Sequence, residues 1–392
     1  MALTRANGEQ FASPYRGTLL KLLRDQGPTS RTGLSEITGL SPTTISKAIA
    51  PLIDLGILRE SVDETRSAIG RPALTLTPVP QATTVCGVQI SVGTVRIGLA
   101  DAAAHVRGAE SFSFDPADDV KNVLALTADK ISEILARDDA APCIGIGIAA
   151  PGPVDALKRR LRVSINLGWR DVPVSDFLEE HLGIPVVVDH NVRAIALAEA
   201  RYGNRGVDSL AYVYVRTGVG LGIAVRGEPF YGGLGGESYL GHNRVVEGGE
   251  LCSCGAHGCL ESVVSEPYLI RTLERISEPV PNDLAKGGRI LELLHRRAVA
   301  GDANAVDLEE SVVTHLASAL SNVVNLFTPD LVLVGGILSF APDVFVSRMR
   351  ERVRDRIFPL LREDLRLERA DPNDDAIVQG AAAVALEMFH YA

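Results

Sequence analysis

An α/β body behind a small helical head is the fold class that this 392-residue sequence predicts. Three observations predict it. Residues 14–56 hold three short helical stripes of apolar residues with no strand pattern among them. From residue 85 onward, short Val/Ile-rich runs alternate with helical periodicity, as in an α/β layer structure. Two of those runs turn on glycine, near residues 92 and 218, which suggests two related lobes.

The head comes first. Pro14 to Asp25 puts Leu19, Leu20, Leu22 and Leu23 on a helical stripe, and Gly27-Pro28 ends it. A short helix fits Arg31 to Thr38, with Ser30 as N-cap, Gly39 as stop, and Leu34 and Ile37 on its buried edge. Ser41-Pro42, a cap followed by proline at the first helical position, starts a third helix. Ile45, Ala48, Ile49 and Leu52 share its inner face, which leaves Thr43, Thr44, Ser46 and Lys47 free to point elsewhere. Helix, short helix, tight turn and helix outline a helix-turn-helix, whose last helix enters the major groove N-terminus first. Extended residues 57–60, a polar stretch over 62–69 and a returning strand at 73–76 follow as a wing. Arg66 and Gly70-Arg71-Pro72 stand at its tip, where an arginine suits the negative potential of a narrow minor groove. Lys47 and Arg71 are the main phosphate and groove candidates, and Thr43, Thr44 and Ser46 the candidate base readers. A small helical domain with no DNA role is the bland alternative.

In the body, Val85 to Ala100 reads as two strands about Val92-Gly93-Thr94, and Cys143 to Ala149 as a buried strand before Pro151-Gly152-Pro153. A strand at 184–188 leads into a helix from Val192 to Tyr202. Strands at 210–215 and 222–225 flank Thr217-Gly218-Val219-Gly220, and another at 331–334 ends in Gly335-Gly336. Helices fit Ser311 to Phe327 and Asp375 to Phe389. The expected domains are a head over 1–80, a first lobe over 81–202 completed by the helix near 375–392, and a second lobe over 203–374. Glycine turns between strands can wrap phosphate, but each taken singly is a weak signal.

Charge follows the same division. The net charge is −10, yet residues 1–80 hold nine Lys/Arg against seven Asp/Glu, a mildly basic head on an acidic body. No apolar run approaches the ~20 residues of a membrane helix, and residues 1–14 do not read as a secretory signal. An odd set of five cysteines then suits a reducing cytoplasm rather than a disulfide framework.

Three of the five, Cys252, Cys254 and Cys259, fall within eight positions, with Gly255 and Gly258 permitting the bends. Their thiolates can converge on one ion, and tetrahedral zinc needs a fourth ligand. His242 and His257 are the candidates. A closed thiolate–imidazole set favours zinc in a structural role.

The stretch C-x-C-G-x-x-G-C-x-E over 252–261, with Gly241-His242 upstream, resembles the zinc signature of the ROK (repressor, open reading frame, kinase) family. Pro151-Gly152-Pro153, Asn166-Leu167-Gly168-Trp169, Pro185 to Asp189 and Gly218-Val219-Gly220 are similar to other family motifs, and the winged head resembles the repressor branch. The resemblance implies an actin-like, two-lobed sugar-kinase fold behind a winged helix-turn-helix. It also implies a homodimer or tetramer, with zinc held by His242, Cys252, Cys254 and Cys259.

Two departures bear on chemistry. Where the family's kinases carry D-x-G-G-T, this chain has Gln89-Ile90-Ser91-Val92-Gly93; where they carry E-N-D-A, with the aspartate as base, it has Asp189-His190-Asn191-Val192. Asn191 cannot take a proton near neutral pH, and loss of a general base costs typically ~10²–10⁴-fold. The one-residue shift is expected to point His190 elsewhere. The final glycine run is reduced to Gly335-Gly336-Ile337. By the resemblance, Asn166, His242 and Glu261 remain as effector ligands, and Asn191 and Tyr239 can each still bond a hydroxyl. Tyr239 stands at the place of the family's A-G-E-x-G-H glutamate, with Glu237 two positions off. The expected function is a DNA-binding transcriptional regulator, a repressor by type, with a catalytically inactive body that answers to a small ligand, by analogy a sugar. The rivals are a zinc-containing, ATP-dependent sugar kinase with an appended head, and a DNA-binding protein that senses no sugar.

Overall fold

The computed structural model describes residues 14–62, 74–137, 141–232, 238–276, 279–281 and 287–392. Its head holds α1 (Arg16–Gln26), α2 (Arg31–Thr38) and α3 (Pro42–Asp54), then β1 (Leu58–Val62) paired antiparallel with β2 (Leu74–Pro78). Each start follows its cap: the Ser30 hydroxyl accepts from the Gly33 amide and the Ser41 hydroxyl from the Thr44 amide. Leu19, Leu20, Leu23, Leu34, Ile45, Ile49, Leu52, Leu58 and Leu76 close a dry core. The three helices lie within about two residues of the expected bounds, and the wing's two strands pair as expected. Arg66, Gly70, Arg71 and Pro72 lie outside the described residues.

Two five-stranded sheets make the body. The first holds β3 (Thr84–Ser91), β4 (Thr94–Ala100), β5 (Val106–Ser113), β6 (Cys143–Ala150) and β9 (Val186–His190), in the order β5-β4-β3-β6-β9. A hairpin of β7 (Leu161–Ser164) and β8 (Trp169–Val172) projects between β6 and β9 in the chain. The second sheet holds β10 (Ser209–Val215), β11 (Val219–Val225), β12 (Glu228–Pro229), β13 (Leu331–Gly336) and β14 (Leu367–Arg369), in the order β12-β11-β10-β13-β14. Both sheets run three antiparallel strands and then two parallel ones, in the same spatial order. The two lobes share one topology, as the two glycine turns suggested.

The outer face of the first sheet packs on α4 (Val120–Arg137) and α5 (Val174–Leu182). The second packs on α7 (Glu261–Val264), α8 (Glu266–Ile276), α9 (Ile290–Val299), α10 (Ala303–Phe327) and α11 (Asp343–Arg356). Between the sheets lie α6 (Asn191–Tyr202), whose placement in the chain falls just after β9, and α12 (Ala376–Ala385), continued by a π-helical turn over Leu386–His390. These two inner helices are rich in alanine because they touch each other and a sheet at once. At their crossing a Cβ on Gly380 would lie 2.7 Å from the Ala194 carbonyl carbon, so only glycine fits. The sequence reading gave no place to α4, α5, α7, α8, α9, α11, β5, β12, β14 or the β7–β8 hairpin, and it started α10 eight residues late. Among the described residues no helix is long and apolar enough to cross a membrane.

Candidate functional site

On α3 the side chains of Thr43 and Lys47 are exposed, while Thr44 and Ser46 are half-buried. The Thr44 hydroxyl lies 2.8 Å from that of Ser41, so it serves the cap as well as facing out. Arg31 on α2 donates to Glu60 on β1 (2.8 Å) and ties the wing to the helices.

Behind the lobes' rim, His242 Nδ1 and the Sγ atoms of Cys252, Cys254 and Cys259 all lie within 4.8 Å of one another. Cys254 and Cys259 stand 3.7 Å apart, as do Cys252 Sγ and His242 Nδ1. Zinc–sulfur bonds of about 2.3 Å at the tetrahedral angle separate the sulfurs by about 3.8 Å. The spacing and the donor set both fit zinc. His257 is not part of the group: it is exposed and bonds the Gly249 carbonyl (2.9 Å), so of the two candidates His242 is the fourth member.

Between the lobes opens a cavity of about 820 Å³, toward the large end of the ~300–1,000 Å³ usual for small-molecule sites. Asn166, Asn191, Tyr239, His242 and Glu261 all line it, so the structure brings together the five expected effector residues. Asn166 comes from the β7–β8 turn and Asn191 from the start of α6. His242 comes from a short 3₁₀ turn, with the Tyr239 ring stacked on it at 6.4 Å. Glu261 opens α7; its Oε2 accepts from the Val219 amide (3.1 Å) and its Oε1 from the Ser253 hydroxyl (3.0 Å). One carboxylate thus joins the cysteine loop to the start of β11. The Asn191 carboxamide oxygen accepts from its neighbour's amide, Val192 (2.8 Å). Gln89 donates to Ser91 (2.8 Å). Glu237 lies outside the described residues.

His190 is among the residues that line the same cavity as Asn191, because both sit where β9 ends and α6 begins. Its Nδ1 is buried without a partner. Burial, then the charge of Arg193, lowers its pKa to about 4, so it stands neutral at pH 7.

Several residues escaped the sequence reading. Asp189 is fully buried and held by Lys158 (2.8 Å) and Arg193 (2.6 Å), with the Tyr231 hydroxyl at 3.4 Å. Burial pushes its carboxyl up, but the two cations outweigh this and hold it below its usual range. Arg216 and Glu266 line the cavity and pair at 3.1 Å, and burial pushes the Glu266 carboxyl up. Arg193 lies only four positions from Asp189, one helical turn away, but Lys158, Tyr231 and the Arg216–Glu266 pair join residues 31 to 50 positions apart, which no local pattern announces.

The ROK family profile matches residues 85–388 and a winged helix-turn-helix DNA-binding profile matches residues 14–59. The chain belongs to the ROK family. Over 387 residues it is 26% identical to the DNA-binding transcriptional repressor Mlc of Escherichia coli, covering 97% of this chain and 95% of that one. It is 26% identical to the xylose repressor of Caldicellulosiruptor bescii, covering 94% of each. A solved ROK family transcriptional regulator, a homologue of the E. coli Mlc protein, superposes with a TM-score of 0.80 at 27% identity, over 98% of this chain and 97% of that one. A ROK glucokinase from Streptomyces griseus, solved with glucose and AMPPNP, matches with a TM-score of 0.66 at 25% identity. It covers 78% of this chain and 99% of its own, as expected of a body without the head. The fold of this ROK protein is therefore the actin-like, two-lobed sugar-kinase fold behind a winged helix-turn-helix, the build of the family's DNA-binding transcriptional regulators.

Proposed function

We propose that this ROK-family protein is a transcriptional repressor. It holds operator DNA with α3 and the wing, and its affinity changes when a small ligand, a sugar by class, enters the interlobe cavity. The body is catalytically silent. Asn191 carries that last point: it stands at the mouth of α6, lining the cavity, with an amide where a kinase needs a carboxylate to take the hydroxyl proton. The neighbouring carboxylates do not replace it. Asp189 is locked between Lys158 and Arg193, and both oxygens of Glu261 already accept hydrogen bonds. His190 is a weak base, with a pKa of about 4.

Thr43, Thr44 and Ser46 read base edges, while Lys47, Arg66 and Arg71 meet phosphates and the minor groove. Asn166, Asn191, Tyr239, His242 and Glu261 bind the effector's hydroxyls. His242, Cys252, Cys254 and Cys259 hold a structural zinc that fixes His242 and, through Ser253, Glu261. In this reading the head is 1–80, the first lobe 81–202 with the C-terminal helix, and the second lobe 203–374. The protein works in the cytoplasm as a homodimer or tetramer, two heads meeting two half-sites one or more helical turns apart.

Gel shifts with genomic fragments, repeated with hexoses, pentoses and amino sugars, test the reading. The expected result is a specific shifted fragment whose affinity changes with one sugar. Absence of any specific fragment overturns the DNA-binding reading, and indifference to every sugar overturns the effector reading. An ATP-coupled assay on the same sugars should show no turnover; robust turnover establishes the kinase instead.

A further inference from the structure

The two inner helices have an arrangement that the reading above does not use. Both begin at the cavity. Asn191 and Val192 of α6 line it, and so do Ala376 and Ile377 of α12. Asp375, just before α12, is held at 2.6 Å by Arg96, which lines the cavity too. Both helices end at the head. Arg201 near the end of α6 pairs with Asp25 of α1 (3.4 Å). Arg24 of α1 bonds Glu387 in the turn that continues α12 (2.5 Å), and Lys21 reaches the same carboxylate at 3.9 Å. The Arg24 guanidinium also lies over the rings of Tyr391 (4.3 Å), just past the turn that continues α12, and Tyr202 (5.8 Å), the last residue of α6.

The joint is close and polar. A Cβ on Gly17 would lie 2.3 Å from the Tyr391 carbonyl oxygen, so the backbone of α1 rests directly on the C-terminal turn. The negative ends of two helix dipoles meet Lys21 and Arg24, the favourable sign. Along their length α6 and α12 touch backbone to backbone at Gly380, so neither slides without the other. Elsewhere the head joins the body covalently through residues 79–83, where the Ala102 amide bonds the Pro80 carbonyl (3.1 Å). A head held at one short link and one docked helix is set in angle by that dock.

We propose that α6 and α12 form a single arm that transmits occupation of the cavity to the head, with Arg24 and Glu387 as its coupling pair. The inference rests on the reading that a ligand binds in the cavity, and it names the route of regulation. A ligand that wedges the starts of the two helices moves their far ends, and with them α1 and, through the head core in which both helices bury their apolar faces, the recognition helix α3. Lying between two sites does not by itself establish coupling; a thermodynamic cycle does.

The test uses the full-length protein and a duplex that it selects from a random-sequence library. Ile377→Trp adds bulk at the cavity end of α12 without any ligand. Operator affinity is measured by fluorescence anisotropy for the wild type, Ile377→Trp, Arg24→Gln and the double variant. The tryptophan is expected to change affinity at least about fivefold, the low end of typical coupling, when Arg24 is present, and less than about twofold when it is not. Exchanging the pair as Arg24→Glu with Glu387→Arg restores the response. If circular dichroism shows Ile377→Trp unfolded, Asn191→Phe takes its place at the start of α6. Equal changes in both backgrounds, or no change from either cavity variant beside Arg24, overturn the arm. If no sugar alters affinity but the cavity variants still act only through Arg24, the arm stands and the sugar reading fails. If a sugar acts equally on Arg24→Gln, the sugar reading stands and the arm fails.

Discussion

Cys254 and Cys259 stand at the S···S separation of a tetrahedral zinc site, so replacing one sulfur removes a ligand whose neighbours are already in position. Cys254→Ser is expected to lose most bound zinc, read as metal per chain by plasma mass spectrometry; full occupancy would disprove the ligand set. A second residue-scale prediction concerns buried histidines. His390 is 3% exposed, and burial, then the charges of Arg16 and Arg24, lowers its pKa to about 3, while His190 falls to about 4. Unfolded imidazoles titrate near ~6.5. Both folded values are depressed, so between those values and pH 6.5 the unfolded chain binds more protons than the folded one. Stability is whole above that range and falls as pH drops through it. Urea midpoints should decline from pH 6.5 to 4, and His390→Gln should flatten the decline; an unchanged slope would remove His390 from the account. The burial of His390 was not legible from its neighbours in sequence, because the groups that face it, Arg16 and Arg24 of α1 and Thr83 just before β3, come from the other end of the chain.

At the scale of elements, α3 was readable because its cap, its proline and its inner face are all local. Lys47→Ala should weaken binding about equally on all sequences and lower the salt slope by about one, as expected for one phosphate contact. Titrations at several salt concentrations check this, and a sequence-dependent loss would move Lys47 to base reading. Arg71→Ala should weaken operator binding and leave the melting temperature of the body in place; unchanged affinity would refute the wing assignment. The crossing of α6 and α12 reverses a familiar rule. Glycine to alanine inside a helix ordinarily gains about 1 kcal/mol, but overpacking typically costs about 1–3 kcal/mol. With the new Cβ 2.7 Å from backbone, the second effect wins. Gly380→Ala should lower the melting temperature, and a rise would show that the helices separate freely. The missed elements have a common cause: α4 and β5 lie on lobe surfaces, where short amphipathic runs look like loops until a sheet is there to receive them.

For the whole molecule, the sequence by itself determined the class of each part. A capped helix-turn-helix, a cysteine loop and the two glycine turns are local patterns, written in residues a few positions apart, and the structure carries each of them. Even the amide at Asn191 could be read from the chain alone. What only tertiary structure decided is which distant residues meet. His242 was chosen over His257 because the loop's bends carry one imidazole inward and leave the other exposed on the Gly249 carbonyl. Asn166 and Glu261, 95 positions apart, share a cavity because two sheets of like topology face each other across α6 and α12. Arg24 and Glu387, 363 positions apart, pair because the last turn of the chain folds back onto the first helix. Local propensity carries information over a turn or a hairpin. Contacts across the fold depend on how apolar faces bury one another, and that is a property of the packed chain.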